Sequence, residues 1–171
     1  RENLKGMEKD IELVEGDIRS YHIVQDSLKD IDIVLHQAAL PSVPRSIKDP
    51  ITTNDVNING TLNILEAAVD LKVKRVVYAS SSSVYGDNPV LPKVETMVPN
   101  PLSPYAVSKL TGEKYCNVFS RIYGLETVCL RYFNVFGPRQ DPASQYSAVI
   151  PKFIKAISQD IQPVIYGDGE Q

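Results

Sequence analysis

The 171-residue chain is short of cysteine and histidine, with two of each. Cys116 and Cys129 have no metal-ligand spacing, and His22 and His36 stand alone, without the partners that a metal site or a Ser-His-Asp triad needs. No apolar run approaches the ~20 residues of a membrane span. A net charge of −3 and a pI near 5.4 leave no basic surface to attract nucleic acid. Internal repeats and low-complexity stretches are missing as well. The expectation is a cytoplasmic, thiol-reduced, metal-free protein with neither a membrane nor a nucleic-acid partner. No Gly-x-x-Gly-x-x-Gly loop occurs among the nine glycines, the chain starts at Arg1, and it ends on Gly169-Glu170-Gln171. It reads as the middle of a longer protein.

What is present is apolar residue enough, at 43%, for the core of one domain. Ile11 to Ile18 alternates and reads as a strand stopped by Gly16. Ser20 to Leu28 reads as a short helix, and Ile31 to Leu35 as a dense strand. Three prolines mark Pro41 to Pro50 as a loop, and a helical period runs from Ile51 to Leu71. Val73 to Ala79 is the next strand, and Asp87 to Ser103 a long connection. Pro104 to Tyr123 follows as a helix closed by Gly124. Leu125 to Phe133 reads as a strand, Asn134 to Ser147 as a polar loop, Ala148 to Ser158 as a helix, and Pro163 to Tyr166 as a short strand. This alternation predicts an α/β protein with a doubly wound parallel sheet.

Within that scaffold the chemistry gathers at Tyr105 and Lys109. Residues four apart share a helix face, and a cation beside a phenol favours the phenolate. The predicted result is a base able to deprotonate a sugar or alcohol hydroxyl near neutral pH. Alone, the spacing occurs on many surface helices. Upstream, Val76 to Ala79 runs straight into Ser80-Ser81-Ser82-Ser83, which sets hydroxyls at the C-terminal end of a parallel strand, where ligands of open α/β sheets bind.

Other positions on that edge remain open between two roles. Asp17-Ile18 could meet an adenine or simply cap the next helix. Ala38-Ala39 could admit a dinucleotide or pack a turn. Asn57, unfavourable in mid-helix, suits a buried tie between strand ends, and Gly60 a close helix approach. Tyr132 and Phe133 could wall a flat ring, and Asn134 could bond a phosphate or sugar. Arg139 and Lys152 are the cations available for a diphosphate, and Tyr85 is a possible substrate contact. The two histidines read as structural.

Gly16-Asp17-Ile18, His36-Gln37-Ala38-Ala39, Ser80 to Gly86, Pro104 to Lys109 and Leu130 to Gly137, in this order and spacing, resemble the extended short-chain dehydrogenase/reductase family. Pro41 to Ser46, Asn100 to Tyr105 and Arg139 to Pro142 look more narrowly like its UDP-N-acetylglucosamine and UDP-glucose 4-epimerases. The resemblance implies a Rossmann-like fold lacking here its first βαβ unit and most of its C-terminal substrate domain. Residues 1–147 would belong to the NAD-binding domain and 148–171 to the start of the substrate region. It also implies tightly held NAD, a UDP-sugar substrate and a homodimer.

By position, the same resemblance gives Ser81, Tyr105 and Lys109 the catalytic roles, although any of Ser80 to Ser83 stands near the strand end. It sets Asp17, Ile18, Ala38, Ala39, Asn57, Tyr132 and Phe133, with Tyr105 and Lys109, along NAD. Ser42, Ser82, Asn134, Val149 and Lys152, with Ser81 and Tyr105, would border the sugar nucleotide. A UDP-glucuronate epimerase or decarboxylase fits the Ser run too. A 4,6-dehydratase would need an Asp-Glu pair where Ser82 and Ser83 stand. A non-catalytic dinucleotide binder has no use for the Tyr-Lys pair.

Overall fold

The computed structural model describes residues 2–140 and 149–165, and its chain divides into two compact units, 11–133 and 1–10 with 134–171. The larger unit is built on three parallel strands, β1 (Ile33–His36), β2 (Arg75–Ser81) and β3 (Glu126–Tyr132), in that spatial order. Between them run α1 (Tyr21–Ser27), ahead of β1, then α2 (Val43–Lys48), α3 (Pro50–Asn54), α4 (Gly60–Asp70) and α5 (Pro104–Tyr123). This is the parallel α/β sheet expected of a Rossmann-like fold.

Strand periodicity sorts the side chains onto two faces. Val34, His36, Val76, Tyr78, Ser80, Cys129 and Arg131 share one face by register. Against it α4 and α5 pack a core of Leu65, Ala68, Val76, Tyr78, Cys116 and Phe119. Leu35 and Val128 lie on the opposite face and are exposed, so the described helices of this unit cover one face. Pairing carries β1 only as far as His36, opposite Tyr78, whereas β2 and β3 run on together to Ser81 and Tyr132. The sheet therefore has a step at its C-terminal edge, and Ala38 and Ala39 follow β1 at the foot of it.

α5 begins and ends where its residues say it must. The Ser103 hydroxyl accepts from the Ala106 N–H at 3.1 Å, Pro104 opens the helix, and Gly124 closes it at φ 72°. Gly112 lets the helix lie against Tyr78: a Cβ there would sit 2.3 Å from the Tyr78 hydroxyl. No helix among the described residues is long and apolar enough to cross a membrane.

Four expectations need correction. Residues 11–17 form no strand, because nothing among the described residues pairs with them and a strand exists only by its ladder. Pro163 to Ile165 lacks a ladder for the same reason, and Tyr166 lies outside the described residues. The segment Pro41 to Pro50 is no plain loop: Ser42 caps α2 by accepting from the Arg45 N–H at 3.2 Å, and Pro44 sits in the first turn, where its missing N–H is harmless. The helical run from Pro50 to Asp70 is interrupted by a π-helical turn at Asp55–Asn59.

In the second unit, α6 (Val149–Ser158) takes up the helix expected from Ala148, which is itself outside the described residues with the rest of 141–147. Arg139 there donates to the Asn3 carbonyl at 3.1 Å.

Candidate active site

The serines at the end of β2 are separated by their bonds. Ser80 continues the packed face of Val76 and Tyr78, and its hydroxyl donates to Glu113 Oε1 of α5. Ser81 points the other way and caps a 3-10 turn (Ser82–Tyr85), its Oγ accepting from the Ser83 N–H at 3.2 Å and the Ser83 hydroxyl at 2.9 Å. The Ser81 hydroxyl also stands close enough to the Tyr105 phenol to favour the phenolate. Ser82 takes no part in this network.

Tyr105 occupies the first turn of α5, and Lys109 follows one turn later. The Lys109 ammonium is buried, at 4% exposure, 5.9 Å from the Tyr105 ring centre and 5.1 Å from that of Tyr78. It donates to the Ala79 carbonyl at 2.9 Å. Burial pushes its pKa down to about 8. The phenol departs from the expected depression: burial holds the Tyr105 pKa above its ordinary value, opposed only in part by Ser81. Desolvation of the charged form outweighs a cation that bonds a carbonyl rather than the phenol oxygen.

Behind this pair lies a buried polar chain. Asn57, in the π-helical turn and 1% exposed, accepts from the Leu40 N–H at 2.7 Å and donates to the Leu40 carbonyl and to Ser108 Oγ, both at 3.1 Å. Ser108 Oγ donates to the Tyr105 carbonyl at 2.8 Å. The Asn57 amide thus ties the segment after β1 to the Tyr105 turn. Both its N–H donors are taken by protein, by the Leu40 carbonyl and Ser108 Oγ, which is the buried tie between strand ends that its mid-helix position suggested. Thr61 spends its proton on the Asn57 carbonyl at 2.6 Å, so at 2.9 Å it must accept from His36 Nε2. His36 is therefore the Nε2–H tautomer, and its buried Nδ1 has no hydrogen-bond partner among the described residues. Burial, with Lys109 nearby, lowers the His36 pKa to about 4.

The remaining expected positions are scattered around this centre. Asp17 is exposed and gripped by Arg19, whose Nη2 lies 2.6 Å from Oδ2; that hydrogen bond brings its pKa to about 2. Asn63 holds the Ile18 and Arg19 carbonyls at 3.0 Å each. The Ile18 side chain lies on Gly60, where a Cβ would meet it at 2.6 Å. Ala38 is exposed and Ala39 half-buried. Tyr132 and Phe133 are exposed, and the Phe133 ring stacks on Tyr85 at 6.2 Å. Ser42 serves as the α2 cap. Asn134, Val149 and Lys152 belong to the other unit, the latter two on α6.

Sequence reasoning missed Glu113 and Arg131. Arg131 Nε and Nη2 grip Glu113 at 2.9 and 2.8 Å, with both side chains largely buried. A signal existed: Glu113 continues the face of Tyr105 and Lys109, and Arg131 is a charge inside an apolar strand.

β2 thus ends in hydroxyls at the C-terminal edge of a parallel sheet, where ligands of open α/β sheets bind, with a helical Tyr close by and a buried Lys one turn on. The chain matches the NAD dependent epimerase/dehydratase family over residues 1–171, and it belongs to that family. It is 49% identical to a UDP-N-acetylglucosamine 4-epimerase of Methanobrevibacter ruminantium solved with UDP-N-acetylmuramic acid, at a TM-score of 0.88 over 92% of this chain and 51% of that one. A UDP-glucose 4-epimerase of Thermotoga maritima solved with UDP-glucose is 36% identical, at a TM-score of 0.88 over 95% of this chain and 53% of that one. A putative UDP-glucose 4-epimerase of Methanocaldococcus jannaschii is 42% identical over 94% of this chain and 53% of its own length. The chain thus spans about half the length of these relatives.

Proposed function

We propose that the protein carrying this chain is an NAD-dependent 4-epimerase of a UDP-hexose or UDP-N-acetylhexosamine, working through a transient 4-keto sugar. The observation that carries this is the buried Lys109 ammonium 5.9 Å from the Tyr105 ring centre, with the Ser81 hydroxyl close enough to favour the phenolate. The residues suit NAD: a desolvated ammonium able to bond ribose hydroxyls, a step lined by Ala38 and Ala39, and Asp17-Ile18 with its backbone held by Asn63. NAD, when bound, supplies the acceptor and then the donor of the hydride at carbon 4.

The chain's own groups handle the proton. Tyr105 takes it from the carbon 4 hydroxyl and later returns it, while Ser81 orients that hydroxyl. Lys109 keeps positive charge near the phenolate. Ser42, Ser82, Asn134, Val149 and Lys152 would border the sugar nucleotide. Elimination of water would need an acid and a base where Ser82 and Ser83 stand, which favours epimerisation over dehydration. Residues 1–147 would belong to the NAD domain and 148–171 to the start of the substrate region. We assign the protein to the cytoplasm, where UDP-sugars are made available to such enzymes.

NMR of the full-length protein incubated with UDP-glucose, UDP-N-acetylglucosamine or UDP-glucuronate tests the activity. The anomeric signal of the galacto epimer is expected with one of the first two. A galacto signal from UDP-glucuronate alone would move the assignment to the glucuronate enzyme, and three unchanged spectra would refute epimerisation.

We also infer a homodimer. On α5, Val107, Val118 and Ile122 form an exposed apolar stripe on the side away from the core, with Ile51 of α3 exposed as well. Light scattering should give twice the chain mass for the full-length protein and the monomer mass for Ile122→Glu. A wild-type monomer would exclude this assembly.

A further inference from the structure

Glu113 comes up the same face of α5 as Tyr105 and Lys109, two turns beyond the phenol. Its side chain is 12% exposed, and three donors converge on it: the Ser80 hydroxyl of β2, and Nε and Nη2 of Arg131 from β3. The Arg131 guanidinium, 17% exposed, also lies 4.8 Å from the centre of the Tyr85 ring. One carboxylate thus joins the helix that carries Tyr105 to the strand that ends in Ser81 and to the strand beside it. Burial pushes the Glu113 pKa up, but the bonds from Arg131 and Ser80 outweigh it and hold the carboxyl below its ordinary value.

Buried ion pairs of this kind add little to stability over an apolar pair of the same shape, although breaking one is expensive. What a bidentate Arg–carboxylate pair does supply is geometry. The atoms fixed here adjoin the reacting ones: Ser80 precedes Ser81, and Tyr105 stands on the helix that Glu113 pins. A slip of about 1 Å between reacting groups is enough to cost on the order of 10²-fold in rate.

We propose that Glu113 and Arg131 are positioning residues that set the register of α5 against β2 and so hold the Tyr105 phenol beside the Ser81 hydroxyl. Its kinetic consequence rests on the assignment of proton transfer to Tyr105; its structural consequence does not. The titratable groups facing the phenol are Lys109 of α5 and Tyr78 of β2, and none of the variants below alters either.

The test uses the full-length protein with Glu113→Gln, Arg131→Lys and Ser80→Ala. The Tyr105 titration is followed by NMR of ring-labelled tyrosine, assigned with Tyr105→Phe, and turnover is counted per NAD-loaded site. Drawing the phenol away from Ser81 removes a group that favours the phenolate, so the titration moves to higher pH in Glu113→Gln and Arg131→Lys. In the same two variants kcat falls about tenfold or more while KM is little changed. Ser80→Ala moves both readouts the same way by less.

Wild-type titration and kcat in variants that only melt earlier would overturn the proposal and leave the pair a brace. If Glu113→Gln fails to fold, Ser80→Ala, which removes one of the three donors to the carboxylate and leaves the ion pair, decides by the same readouts. A shifted titration in a protein that converts no UDP-sugar would uphold the positioning role and sink the epimerase assignment instead.

Discussion

Tyr105→Phe is expected to lower turnover of the full-length enzyme by about 10²–10⁴-fold, the usual contribution of a positioned proton-transfer group. The fold and the bound nucleotide should survive. The ring is half-buried in the first turn of α5, and the helix is started by Ser103 and Pro104 rather than by the phenol. The pH dependence carries a further sign. Burial raises the Tyr105 pKa, so below it the phenol is protonated and the active base is a minor species. Wild-type kcat should therefore rise with pH, and whatever rate remains in the Phe variant should lack that rise. A variant keeping more than about a third of wild-type kcat would remove Tyr105 from the mechanism.

Lys109→Met should separate stability from function. The folded-state pKa of Lys109, about 8, lies below the ordinary 10.5, so the folded protein binds fewer protons than the unfolded chain between those values. By linkage, stability in that window rises with pH, and below about 8 the buried ammonium opposes folding by on the order of 3 kcal/mol. An apolar side chain of similar length removes that penalty. The nucleotide-free variant should unfold at higher urea than wild type at pH 7, and its midpoint should lose the gain above pH 8. The same change should weaken NAD retention and move the rate profile to higher pH, because the phenolate loses its nearest cation. A Met variant less stable than wild type would mean that the Ala79 bond outweighs the desolvation; unaltered NAD retention would leave Lys109 without a cofactor role.

How much of this was legible before the structure depended on whether the cause was local. α5 was read with both its ends, since Ser103, Pro104 and Gly124 act within a turn of where they stand. β2 was found because an apolar run feeds into hydroxyls. Residues 11–17 were misread because pairing is a property of a neighbour, which no alternation supplies. α2 was hidden under prolines that a first turn tolerates. The serine run was more legible than it was taken to be: Val76, Tyr78 and Ser80 fall on one side of the pleat, which already separates Ser80 from Ser81. The direction of the Tyr105 shift was not legible at all, because the sequence displays the cation and conceals the burial.

The π-helical turn at Asp55–Asn59 means that one rod serves two clients. A single extra residue rotates whatever follows by about 100° relative to a regular α-helix. Before the turn, Thr53 goes inward from α3, which lies against α5; beyond it Ile64 and Ala67 of α4 meet Val24 of α1, and Leu65 and Ala68 join the core on the sheet. A strict 3.6-residue repeat would bring only one of these sets to its neighbours. The widened turn acts as a phase shifter, and the residue at its centre, Asn57, is the one that fastens the β1 crossing to the Tyr105 turn.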